Sequence, residues 1–64
     1  MRINRIKFAT ELLKRDMTQK KLSELSGVSR MTINSIKSGK SCSDEVGKKI
    51  AKVLQIPVET LLED

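Results

Sequence analysis

Apolar residues recur along this chain at the three- and four-residue intervals that place side chains on one face of a helix. Ile3 to Arg15 reads as a first helix, with Ile6, Ala9 and Leu13 forming one stripe and Phe8 and Leu12 widening it. A second helix carries Leu22 and Leu25, and a third, over about Arg30 to Lys37, carries Ile33 and Ile36. A fourth, running to about Gln55, shows Val46, Ile50, Val53 and Leu54 with Ala51 alongside. Pro57 suits the first turn of a short fifth helix through Leu62. The pattern predicts an all-α, five-helix domain spanning residues 1–64, with no repeats and no linkers.

The punctuation between these runs is local and polar. Asp16-Met17 makes the first link, where Met17 packs inward and Thr18 caps helix two. Gly27 falls where that helix must stop and reverse, a task for the left-handed backbone conformation that glycine adopts without a Cβ clash. Val28 then turns inward and Ser29 caps helix three, which stops at Ser38-Gly39. Ser43 caps helix four, with Asp44 and Glu45 at the positive end of its dipole. Gly47 weakens that helix by roughly 1 kcal/mol relative to alanine, unless a neighbouring backbone comes close there. Two short helices about a glycine turn, the second with a polar outer face, make the helix-turn-helix layout, whose second helix enters the DNA major groove.

Charge sharpens this picture. The net charge is +5, but residues through Lys40 carry ten Lys and Arg against three acids, and residues from Ser41 onward carry three against five. The basic half is the half with the glycine turn, and a positive face attracts the phosphate backbone. Phe8 is the only aromatic residue and belongs to the core, so no stacking platform for unpaired bases can be built. With no histidine and a single cysteine, Cys42, neither a structural zinc site nor an internal disulfide is expected, and no cofactor is. The acids Asp44 and Glu45 lack a nucleophile or base beside them, so an enzyme is not expected either. No apolar run approaches the roughly 18 residues of a membrane span, and the expected location is cytoplasmic.

The chain resembles the small phage-repressor type of helix-turn-helix regulators, the Cro/cI or xenobiotic-response-element type. The resemblance rests on Thr18-Gln19, Leu22, Gly27-Val28-Ser29, Ile33 and Ile36, Ser38-Gly39-Lys40, and Ile50-Ala51 with Leu54. It implies a five-helix, lambda-repressor-like domain that binds double-stranded operator DNA, usually as a homodimer, and represses or activates transcription; repression is the expected outcome, and with a single domain no small-molecule ligand is expected. Carried over by position, Arg30, Met31, Asn34 and Ser35 would face the bases, with Thr32 near the backbone. Thr18, Gln19, Lys37, Ser38 and Lys40 would meet phosphate, through side chain or main chain at Ser38 and Lys40.

The chemistry of these side chains is compatible with those roles. Arginine offers two donors to guanine O6 and N7, which makes Arg30 the first choice for a specific contact; Asn34 can pair with adenine, and Met31 offers only apolar contact. Two positions depart from the family pattern. An arginine of helix one that many members pair with a glutamate late in helix three corresponds, with no gap, to Leu12 and Lys37, so that ion pair is missing and Lys37 is released toward phosphate. Ser23 replaces the usual alanine and should find a backbone carbonyl if buried. Ile56, Val58, Leu61 and Leu62 give the C-terminal end more apolar surface than one small core needs, and are the candidate dimer surface. The alternative is a protein-interaction module of the same fold, such as a toxin-neutralising antitoxin component.

Overall fold

The computed structural model describes residues 1–62. Four α-helices follow one another: α1 (Arg5–Lys14), α2 (Gln19–Ser26), α3 (Arg30–Lys37) and α4 (Asp44–Leu54). All four start on a side-chain cap. Asn4 Oδ1 accepts from the amides of Ile6 and Lys7, and Thr18, Ser29 and Ser43 accept from Lys21, Thr32 and Val46. Each of these caps satisfies amides that the first turn leaves without partners.

The fifth element differs from the expected α-helix. Val58–Leu61 is a single 3-10 turn of four residues, held by a 3.0 Å bond from the Thr60 amide to the Pro57 carbonyl. Pro57 precedes it in an extended conformation rather than opening a helix. Four residues close too few i to i+4 bonds for an α-helix, and the turn instead continues into an extended Leu62 that pairs antiparallel with Ile3.

That pairing also shortens α1. Ile3 is extended and fully buried, and the Asn4 amide donates to the Leu61 carbonyl over 2.7 Å. The N-terminal residues are tied on a second side: the Met1 ammonium donates to the Cys42 carbonyl (2.7 Å) and the Cys42 amide donates to the Met1 carbonyl (2.9 Å). A Cβ placed on Gly47 would collide with the Met1 thioether, so the close neighbour that Gly47 accommodates is a side chain and not a backbone.

One core of Ile3, Phe8, Leu12, Leu22, Val28, Ile33, Ile36, Ile50, Ala51, Leu54 and Leu61 joins every element. The buried face of α1 is Phe8 and Leu12, whereas Ile6, Ala9 and Leu13 lie outside, with Ile6 67% and Leu13 81% exposed. This reverses the expected order of the two stripes. Leu61 is likewise fully buried in its own chain, so it cannot supply a dimer surface; Ile56, Val58 and Leu62 are half-buried against the same core. The apolar surplus at the C-terminal end is largely consumed in covering α4 and Ile3.

Candidate nucleic-acid interface

The turn between α2 and α3 is fixed by short-range bonds. Gly27 takes the left-handed conformation (φ 75°) and its amide donates to the Ser23 carbonyl over 3.0 Å. The Ser23 hydroxyl donates to the Val28 carbonyl over 2.6 Å, which is the backbone partner expected of a serine in the usual alanine's place. The Ser26 hydroxyl donates to the Leu22 carbonyl and accepts from the Val28 amide. With Val28 and Ile33 buried beside Leu22, α3 is held by its apolar face and turns the opposite face outward.

On that outward face Arg30, Met31, Asn34, Lys37 and Ser38 are exposed, Met31 at 81%, while Thr32 and Ser35 are half-buried. Thr32 Oγ1 accepts from the Ser29 hydroxyl at 2.9 Å, so this threonine is tied to the helix cap. The Ser38 hydroxyl donates to the Asn34 carbonyl at 3.0 Å. The amides of Ser38, Gly39 and Lys40 donate to the carbonyls of Asn34 and Ser35, of Ile36, and of Ser35 respectively. The main-chain amides of Ser38, Gly39 and Lys40 are therefore spent within the turn, and Lys40 is exposed.

Beside α3 lies an open hollow of about 520 Å³ lined by Ala9, Leu12 and Leu13 of α1, Met17, the cap Thr18, Gln19 and Lys20 of α2, and Arg30 and Lys37 of α3. The fold thus gathers Thr18, Gln19, Arg30 and Lys37 around one concavity that, among the described residues, no Asp or Glu lines. Met31, Asn34, Ser35 and Lys40 do not line it and continue the surface along α3 and past its end. Thr18 Oγ1 accepts from the Lys21 amide, which leaves the hydroxyl proton to donate outward, next to the start of α2, where amides point at an anion.

A family model described as helix-turn-helix matches residues 9–61 of the 64. The chain belongs to that helix-turn-helix family. Neither a curated protein nor a solved structure matches it. Proteins of this helix-turn-helix family, which is of the Cro/cI type, are DNA-binding transcriptional regulators. No helix among the described residues is long and apolar enough to cross a membrane.

Within this helix-turn-helix fold the two departures resolve differently. Ser23 is accommodated as described, whereas Leu12 is a core residue that reaches the wall of the hollow Lys37 also lines, with the exposed Leu13 beside it. Lys37 has no acidic partner among the described residues. The structure adds basic groups that sequence spacing missed. Arg2 donates to the Gly39 carbonyl at 3.5 Å, and Arg5 packs its stem against Gly39, so the N-terminal arginines sit beside the turn that ends α3. Only their membership of the basic half hinted at this, because the contact spans more than thirty residues of sequence.

Proposed function

We propose that this protein is a sequence-specific, double-stranded DNA-binding transcriptional regulator that acts in the cytoplasm by occupying its operator, most simply as a repressor. The observation that carries this reading is the hollow, lined by no acid among the described residues, where Thr18, Gln19, Arg30 and Lys37 converge at the edge of the outward face of α3. A phosphate beside Thr18 and Gln19 sets the position of the domain, and α3 then reaches base edges from the major groove. Arg30, at the start of α3, reads guanine through two donors, Asn34 reads adenine, and Met31 and Ser35 complete the base-facing set. Lys37 and the Lys40 ammonium add phosphate contacts, and the Thr32 and Ser38 hydroxyls join them by turning from their present partners.

A two-fold dimer places two copies of α3 in successive grooves about 34 Å apart, on a near-palindromic site. Ile56, Val58 and the extended Leu62 are the residues proposed for the seam, since each keeps an accessible edge. Selection of bound duplexes from a random pool tests the whole reading. A recovered consensus with two inverted halves supports it, and Arg30→Ala should flatten the preference at one position while Lys40→Ala weakens binding to all sequences and lowers the salt slope by about 1. Recovery of no consensus overturns sequence-specific recognition, and a sedimenting monomer on an unpaired half-site overturns the dimer.

A further inference from the structure

The stripe Ile6, Ala9, Leu13 on α1 is apolar, solvent-facing and unused by the core. Two hollows meet along it. One, of about 290 Å³, is lined by Arg5, Ile6, Ala9, Thr10, Leu13 and Lys37. The other is the hollow at the start of α2, and the two share Ala9, Leu13 and Lys37. Together they form one groove between α1 and α3 that runs from Arg5 to Gln19. Its floor is apolar, with a small residue at the centre, and its rim carries Arg5, Lys20, Arg30 and Lys37. Among the described residues none of these four has an acidic partner and no carboxylate lines either hollow.

DNA accounts for the rim but not for the floor, because phosphates gain nothing from Ile6 and Leu13. A second copy of this chain accounts for the floor but not for the rim, since a two-fold contact here would set Arg5 and Lys37 against the same cations. An acidic amphipathic helix satisfies both: its apolar side chains fill the groove and its carboxylates meet the rim. We propose that the α1–α3 groove docks an acidic amphipathic helical segment of a partner protein, and that this docking excludes DNA. The exclusion rests on the DNA-binding reading above, because Gln19, Arg30 and Lys37 belong to both sites.

The test offers the full chain to a displayed library of random peptides about four helical turns long. Enriched peptides should be net acidic, with apolar residues at helical spacing. Ile6→Lys and Leu13→Lys should each weaken their binding at least tenfold, whereas Leu25→Lys, at an exposed leucine on α2, should not; all three sites are exposed enough to leave thermal unfolding unchanged. The same peptides, made synthetically, should displace a labelled duplex. No enrichment, neutral or basic winners, or binding indifferent to Ile6 and Leu13 overturns the docking groove, even if the chain binds duplex normally. Peptides that bind through Leu13 without displacing duplex overturn the exclusion. A chain that binds them and no duplex supports the groove and sinks the DNA reading alone.

Discussion

Arg15 Nη2 donates to the carbonyl oxygen of Leu54 over 2.7 Å, joining the end of α1 to the end of α4 across 39 residues of sequence. The other terminal guanidinium nitrogen, Nη1, donates to the Glu11 carboxylate at 2.7 Å and to the Glu11 carbonyl at 2.9 Å. One side chain thus fixes the C-terminal ends of two helices whose carbonyls would otherwise need water. Arg15→Ala should destabilise the fold by about 1–3 kcal/mol in denaturant unfolding, in the range for hydrogen bonds made by a charged group. Arg15→Lys should recover only part of the loss, since an ammonium does not reproduce the fork.

The same pair sets an acid dependence. The hydrogen bond from Arg15, followed by that from Lys14, holds the Glu11 carboxyl below its ordinary value of 4.5 against the opposing effect of burial. The folded state therefore favours the ionised form. Its contribution is complete above that ordinary value and is lost as pH falls through the lower folded one. Unfolding of the unmutated chain and Glu11→Gln, compared from pH 7 to pH 3, should show the unmutated chain's advantage shrinking in acid. A constant gap across that range would refute the assignment.

Gly27 and Gln55 share a left-handed backbone and make opposite predictions. A Cβ at Gly27 would meet nothing within 4 Å, so Gly27→Ala introduces backbone strain without a clash and should cost about 1–2 kcal/mol. Gly27→Asn should cost less. At Gln55 (φ 59°) the strain is already present, and Gln55→Gly should raise stability by up to about 1 kcal/mol. Thermal unfolding of the three variants checks both signs.

Leu61 has no exposed surface, so truncating it opens a cavity between α4, the 3-10 turn and Ile3. Leu61→Ala should cost about 2–5 kcal/mol, and Leu62→Ala distinctly less. Leu61→Asp should unfold the chain outright rather than yield a folded monomer, seen as loss of helical circular dichroism. A folded Leu61→Asp protein would contradict the core assignment.

Cys42 is half-buried, and burial raises its thiol above the ordinary 9.0, the nearby N-terminal ammonium opposing this and Asp44 adding to it. Fewer thiolates at neutral pH mean slower chemistry. Alkylation by iodoacetamide at pH 8 should run severalfold slower in the folded chain than in denaturant. Equal or faster reaction when folded would indicate an activated thiol.

What the sequence determined by itself was everything decided within a few residues. Thr18, Ser29 and Ser43 cap as their hydroxyls and positions demand, Gly27 reverses the chain, and α3 occupies Arg30–Lys37, because capping and left-handed turns are local energies. The outward presentation of Arg30 and Asn34 follows once Ile33 and Ile36 are buried three apart. The sequence could not choose between the stripes of α1, since Ile6-Ala9-Leu13 and Phe8-Leu12 are both spaced for a helical face. The tertiary structure chose Phe8 and Leu12 because they meet the rest of the core, and it buried Leu61 against the same elements. Non-local packing also set the link from Arg15 to Leu54, the N-terminal arginines beside Gly39 and the groove along α1. Periodicity reports that a face is apolar, and only the neighbour opposite decides whether that face is covered.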